Sequence, residues 1–429
     1  MSLIKNLKKY ENPGMHFQLP LEWEKAKDCY IYSKKRKILD FTSCIFLANI
    51  GHGNSHLIKK IKETLNVPLL HSYNYPHKLR LTYIKKLLKF SHGDFDKVYL
   101  LTGGSETLEA ALKLMRLFAK EKNKDPGIIA LKGNWHGRTM GAAHLCGNDI
   151  DEKWIGYKDK YIYHLDFPHL EDLNKLNKNG EEFFDHSLLK FGKNFNFKKK
   201  ICGVILEAFQ GWGAINYPKD YVKRVQSFCK KNDILFAIDE MQSGFGRTGK
   251  NFCYEHYGVK PDILCCGKAM GGGFPVSGIL AKNKAINFVQ PGSMSSTHSA
   301  NPLACAAGIA VIEELYKKKL VNKAHVNGLY LKSLLEQLSQ KYKKIVLKVN
   351  CKGLIAAIIF KNLSRFTGTQ LATMISEECL RNDLLVVKTN RESIKLGPPL
   401  IINKNQIHKG VLIINKSILK ILKKINDQI

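Results

Sequence analysis

From residue 97 to 281 short apolar runs alternate with stretches of helical periodicity, and that alternation leaves the chain very few architectures. The runs KVYLL (97–101), GIIALK (127–132), ICGVILE (201–207), ILFAID (234–239), DILCC (262–266) and VSGILA (276–281) have the continuous hydrophobicity of strands buried on both faces. Between them Leu108, Ala111, Leu112 and Met115 recur at helical spacing, as do Tyr221, Val225, Phe228 and Cys229. Such alternation predicts an α/β fold with a mostly parallel central sheet covered by helices. Ligands of such sheets sit beyond the carboxyl ends of the strands.

With 429 residues the chain exceeds what one hydrophobic core usually organises, so a large domain and a smaller companion are expected. The character changes after about residue 318. A helical pattern there precedes the strand-like runs IVLKVN, GLIAAIIF, LLVVK and SIKL and a long amphipathic helix from about Gln406, which together predict a smaller α/β domain. The expected division is 1–50 packing with the small domain, 51–317 as the large domain and 318–429 as the small one. The Lys- and Asn-rich stretch 171–200 fits neither period and is expected to be a surface excursion.

The formal net charge of +31 raises nucleic acid and anionic membranes as partners. Its distribution argues against both, because lysines fall in short runs along the whole chain, at 34–37, 198–200, 317–319 and 423–424, on the polar sides of periodic segments. The N-terminus lacks the apolar run of a secretory signal and no stretch is long and apolar enough to span a bilayer, so a cytoplasmic location is expected. The eleven cysteines lack the paired spacings of zinc sites or disulfide frameworks, and no metal is expected.

Four segments end strands with chemically loaded turns. Leu101-Thr-Gly-Gly-Ser-Glu106 opens a helix; Gly104 and Ser105 could meet a phosphate at its amino end, or Ser105, Glu106 and Glu109 could be an ordinary cap. Asn134-Trp-His-Gly-Arg138 offers an aromatic to stack on a flat ring and a guanidinium for a carboxylate, or else a buried Trp135 and a surface Arg138. In Ala237-Ile-Asp239-Glu-Met-Gln242 two carboxylates close a strand. A buried Asp239 would keep a ring nitrogen protonated, and its bland alternative is a loop cap. In Cys265-Cys-Gly-Lys268-Ala-Met-Gly, the apolar and glycine-lined flanks of Lys268 suit a desolvated amine that forms a Schiff base.

In this order the four segments, together with SSTHSANPLACAAG and LDFTSCIFLANIGHG, resemble the class III aminotransferases, the family of ornithine, acetylornithine and 4-aminobutyrate transaminases, from about Asp40 to Pro399. The resemblance implies a fold-type I pyridoxal-5′-phosphate enzyme, a homodimer with shared active sites, that moves an amino group from an amine to a keto acid or aldehyde. It places Gly104 and Ser105 on the cofactor phosphate, Trp135 on the ring face, Asp239 on the ring nitrogen, Gln242 near the ring hydroxyl and Lys268 in the Schiff base. Thr297 is implied to reach the phosphate in the neighbouring subunit, although a hydroxyl just ahead of a helix could simply cap it. Glu207 is implied to support the Asp239 and Gln242 cluster, and Arg138 to bind a substrate carboxylate.

Two departures bear on substrate. Where ornithine and 4-aminobutyrate enzymes carry a glutamate after Gln-Gly, this chain has Trp212, and where they carry the arginine that this glutamate screens, it has Lys395. A lysine is a point charge without a guanidinium's bidentate fork. Trp212 with Phe46 and Leu47 points to a bulky or ring-shaped partner, sugar-like ones included. Two other functions stand beside this one. An aminomutase on the same scaffold would move an amino group within one molecule and is separated by assay, since it would not sustain turnover between separate donors and acceptors. A non-catalytic nucleic-acid-binding descendant is the remoter reading, having no reason to keep Lys268, Asp239 and Gln242 together.

Overall fold

The computed structural model describes residues 3–15, 19–148, 153–363 and 365–426. The six apolar runs become strands of one seven-stranded sheet: β1 (Lys97–Leu101), β2 (Gly127–Leu131), β4 (Ile201–Glu207), β5 (Leu235–Asp239), β6 (Ile263–Cys266) and β7 (Ser277–Ala281). Five are buried throughout, whereas β1, at the sheet edge, is buried only at Leu100 and Leu101. The seventh strand, β3 (Ile162–Leu165), lies at one edge of the order β1-β7-β6-β5-β4-β2-β3. Only β7 runs against its neighbours β1 and β6, and the other pairings are parallel. Consequently the carboxyl ends of β1, β2, β4, β5 and β6 share one edge of the sheet, and every loaded turn follows one of those ends.

Helix α1 (Gly104–Glu121) covers one face. Its Leu108, Ala111, Leu112 and Met115 pack in one cluster with Ile128, Ile205, Leu235, Ile263 and Ile279 of the strands. Each leucine, isoleucine and methionine among them contributes about 1.5–3 kcal/mol when fully buried, so the helical stripe and the double-faced strands specify each other.

The 171–200 stretch is ordered and largely helical, with helices Leu170–Leu176 and α2 (Gly180–Leu188). A capping box of Asn179 and Glu182 starts α2. Phe184 then meets Tyr221 and Phe228 of α3 (Lys219–Lys231) edge to face at 5.5 and 5.4 Å.

The chain divides into two compact units, the larger of His56–Gly211 and Ile215–Lys318 and the smaller of Met1–Ser55, Trp212–Ala214 and Lys319–Ile429. The smaller unit holds an antiparallel sheet of Val346–Lys352, Ile355–Phe360, Ser393–Leu396 and Val387–Lys388. A second sheet joins Lys25–Lys27, Tyr30–Ser33 and Arg36–Asp40 to Leu384–Leu385. The run LLVVK is therefore not one strand but two, divided between sheets. Among the described residues no helix is long and apolar enough to cross a membrane.

Candidate active site

Register places the chemistry. Glu207 and Asp239 pair as the last residues of β4 and β5, and Asp239 pairs with Cys265 of β6, so two carboxylates and the turn bearing Lys268 leave the sheet side by side. The Asp239 carboxylate is sealed from solvent. Its Oδ2 lies 2.9 Å from His136 Nδ1, and its Oδ1 accepts from the Met241 amide at 2.9 Å. The adjacent Glu240 is committed elsewhere: it accepts from the Tyr254 amide at 2.7 Å and from the Ser243 hydroxyl, and it fixes the loop after β5.

Glu207 gathers three donors. Oε2 accepts from the amides of Trp135 and Gly211, each at 3.0 Å, and Oε1 from Gln242 Nε2 at 3.1 Å. Burial, opposed by His136 and reinforced by the charge of Asp239, pushes its pKa up to about 7. Gly211 is required here because a Cβ would stand 2.3 Å from Gln242 Nε2 and 2.8 Å from Glu207 Oε1.

Lys268 has φ +47°, a left-handed conformation unusual for a residue with a Cβ. The backbone before it passes so close to Met241 that a Cβ on Gly267 would lie 2.5 Å from the Met241 sulfur. Burial lowers the Lys268 pKa, while Asp239 and Glu207 pull it the other way. Its amine thus needs less energy to lose its proton than a surface lysine and is held in the field of two carboxylates.

The turn after β1 is a helix start in which Gly103, not Ser105, occupies the capping position. Glu106 Oε2 accepts from the Thr102 amide at 3.0 Å, the Thr102 hydroxyl at 2.7 Å and the Gly103 amide at 3.2 Å. That leaves the following first-turn amides, which have no acceptor within the helix, at the positive end of an 18-residue helix. Ser105 Oγ accepts from the Arg138 amide at 3.1 Å, tying this turn to the segment after β2. Trp135 keeps 36% of its surface exposed, and the Arg138 guanidinium lies 4.7 Å from the indole centroid. Thr297 is exposed and does not cap the next helix, α4 (Pro302–Lys317). Asn301 does so, accepting from the Ala304 amide at 2.9 Å.

The remaining sequence candidates, Phe46, Trp212 and Lys395, belong to the smaller unit. Lys395 lies buried on the strand Ser393–Leu396 with its Nζ 5.0 Å from the Phe46 ring centroid. Trp212 is half-buried. Its carbonyl accepts from Ser393 Oγ at 2.9 Å, and the Arg391 guanidinium stacks on its indole at 3.9 Å.

Two residues gain roles that sequence reasoning had not given them, and a third, Glu106, fills the helix cap that the first motif also offered. His136 stood in a quoted motif, but nothing in its spacing revealed its carboxylate partner. Glu106 carried a legible signal, acidic at the third position after a helix start, which is also the commonplace signal of a cap. Arg391 had no signal, since a turn between short strands leaves no periodicity.

The lysine, the carboxylates and the helix start suit pyridoxal phosphate on chemical grounds. They supply a primary amine whose cation burial disfavours, a sealed carboxylate at an adjacent strand end, and amides at a helix terminus for a phosphate.

Comparison with known proteins agrees. The family model described as Aminotransferase class-III matches residues 12–418. The acetylornithine aminotransferase of Caldanaerobacter subterraneus subsp. tengcongensis is 33% identical over 387 residues, covering 89% of this chain and 90% of that protein. The ornithine aminotransferase of Saccharomyces cerevisiae is 32% identical over 429 residues, covering 96% of each. The crystal structure of acetylornithine aminotransferase from Elizabethkingia anophelis superposes with a TM-score of 0.79 at 28% identity, over 97% of this chain and 98% of that one.

Proposed function

Since the chain belongs to the class III aminotransferases and so transfers amino groups with pyridoxal phosphate, we propose that Lys268 is the residue that carries the cofactor and moves the proton. The observation that carries this reading is the strand register that sets the Lys268 turn beside the paired carboxylates of Glu207 and Asp239, and the lowering of the Lys268 pKa by burial supports it.

Bound there, the cofactor would supply an aldehyde for a primary amine and a pyridinium that draws electrons from the reacting carbon. Gly104 and Ser105 would hold its phosphate, Asp239 its ring nitrogen, Gln242 its ring hydroxyl and Trp135 one face of its ring. Asp239 is fitted to this work because His136 and the Met241 amide fix the orientation of its carboxylate before any ligand arrives. Glu207 holds the Trp135 backbone and the Gln242 amide in place. Lys268 Nζ would act as general base toward the substrate carbon and return the proton as general acid. Thr297 would serve the phosphate of a neighbouring subunit in a homodimer, and the free cysteines support a reducing, cytoplasmic setting.

The family's chemistry calls for a small-molecule amine and a keto acid. We assign this chain's preference among them to Trp212, Lys395 and Arg138, and to Phe46 only through the Lys395 amine it lies against, since its own ring is buried. The two relatives act, by their names, on acetylornithine and ornithine. Trp212 and Lys395 support a different partner, bulky or ring-shaped, sugar-like ones included, whose carboxylate is held by a point charge. Neither nucleic acid nor a membrane is required by any part of this reading.

The test is to incubate the protein with pyridoxal phosphate, reduce with borohydride and map the adduct, then assay a panel of amines against a panel of keto acids. An adduct on Lys268, with turnover between separate donors and acceptors that Lys268→Ala abolishes, is expected. An adduct on another lysine, or undiminished turnover in Lys268→Ala, overturns the assignment.

A further inference from the structure

The carboxylate of Glu106 is shared between two segments that the sequence separates widely. Its Oε2 holds the turn after β1 through Thr102 and Gly103. Its Oε1 accepts from the Ser296 hydroxyl at 2.9 Å, on the largely exposed stretch 291–298. Met294 packs against the hydrophobic cluster beneath α1, and among the described residues the stretch has few polar ties to the central sheet and its helix. Lys113 Nζ reaches the Ser293 carbonyl at 2.6 Å, the Tyr99 hydroxyl donates to the Met294 carbonyl, and the Ser299 hydroxyl donates to the Leu100 carbonyl. All of these polar anchors come from β1 and α1, the two elements joined by the turn that Glu106 braces.

We propose that Glu106 is a positioning residue that couples the phosphate turn to the 293–299 segment, so that loading a phosphate on the turn orders the segment carrying Thr297. This rests on the cofactor reading above. Because Glu106 takes the Thr102 and Gly103 amides, it leaves the next first-turn amides for the phosphate, and the two anions do not compete for donors. A phosphate bound there fixes the turn. Fixing the turn removes freedom from the Glu106 side chain, and Ser296 then bonds to a carboxylate that has already lost its entropy. Although partial burial opposes ionisation, the hydrogen bonds from Thr102, Ser296 and Gly103 prevail and hold Glu106 below the usual carboxylate range. The brace is therefore charged, and its hydrogen bonds are the stronger charge-assisted kind.

Hydrogen–deuterium exchange of the full chain, with pyridoxal phosphate removed and restored, reads the coupling without relying on catalysis. In the wild-type protein the cofactor should slow exchange in both 102–106 and 293–299. Ser296→Ala should keep the slowing at 102–106 and lose at least about fivefold of it at 293–299, the lower end of ordinary coupling energies. Ser296→Thr, which restores the hydroxyl, should recover the effect. A wild-type 293–299 segment indifferent to the cofactor, or faster with it, overturns the proposal, as does full protection in Ser296→Ala. Borohydride trapping on Lys268 in the same sample separates the two readings. An adduct with an indifferent segment removes this inference alone, whereas absence of any adduct removes the cofactor assignment and the coupling together.

Discussion

His136 Nδ1 and Asp239 Oδ2 lie 2.9 Å apart with both side chains sealed from solvent, so the carboxylate at the end of β5 owes its orientation to a residue presented by the loop after β2. Breaking a buried pair by removing one partner leaves the other uncompensated. His136→Phe is therefore expected to destabilise the protein by about 1–3 kcal/mol, the cost of leaving a buried acceptor oxygen without its donor. His136→Asn, whose side-chain amide can donate from nearly the position of Nδ1, should recover a large part of that loss. Urea denaturation of the two variants measures the difference, and equal stabilities would remove the positional role of the imidazole.

Glu207 predicts a pH dependence. Its pKa is raised from 4.5 to about 7 in the folded protein, so between those values the folded state binds more protons than the unfolded one, and stability falls as pH rises. The contribution is fully present below 4.5 and is lost as pH passes through about 7. Glu207→Gln keeps the volume and removes the titration. Its stability should decline less steeply than that of the wild-type protein across this window in chemical denaturation at a series of pH values. A steeper decline would mean that the ionised carboxylate is the form the fold prefers.

Lys395 bears on the acceptor. If it holds a substrate carboxylate, Lys395→Met removes the charge at nearly constant volume. A charge-assisted hydrogen bond contributes about 1.5–3 kcal/mol, so KM for the keto acid should rise about tenfold or more, with kcat little changed if the interaction is the same in ground and transition states. Steady-state kinetics with the best keto acid decides it. A fall in kcat at constant KM would instead place Lys395 in the chemical step.

The central strands were legible because a strand buried on both faces has no polar side to dilute its signal, and β4 is the longest of the five whose every residue is buried. β3 escaped because it lies at the sheet edge with Tyr163 and His164 only partly covered, and a short run holding two polar aromatics has no distinct period. α2 was masked by the Lys and Asn residues around it, although its buried pair Phe183 and Phe184 supplies the packing. Lys268 and Asp239 could be picked out from their apolar flanks. The sharing of Glu106 between Thr102 and Ser296 could not, because pairing across 190 residues leaves no trace in local pattern.

The segment Ser43–Phe46 has four consecutive residues at positive φ, +48°, +53°, +55° and +70°, forming one turn of left-handed helix. Each residue with a Cβ costs about 1–2 kcal/mol in that conformation, and the β-branched Ile45 is the poorest fit of the four. What holds the turn is around it: the Thr42 hydroxyl accepts from the Cys44 amide at 3.0 Å, the Ser43 hydroxyl donates to the Gly397 carbonyl at 2.6 Å, and Phe46 is buried. Phe46 packs so closely on Gly397 that a Cβ there would stand 2.1 Å from its ring. Ile45 itself is 36% exposed, so its side chain is only partly packed and contributes less than a core isoleucine. Ile45→Gly relieves about 1–2 kcal/mol of backbone strain but gives up about as much side-chain burial and makes the unfolded chain more flexible by roughly 0.4–1 kcal/mol. The variant should therefore lose no more than about 1 kcal/mol, far less than the removal of a partly buried isoleucine costs in ordinary backbone. Gly397→Ala is expected to lose about 1–3 kcal/mol through overpacking against Phe46. Thermal denaturation of both variants checks the pair, and a larger loss in Ile45→Gly would mean that the isoleucine side chain, rather than the surrounding hydrogen bonds, is what keeps the turn left-handed.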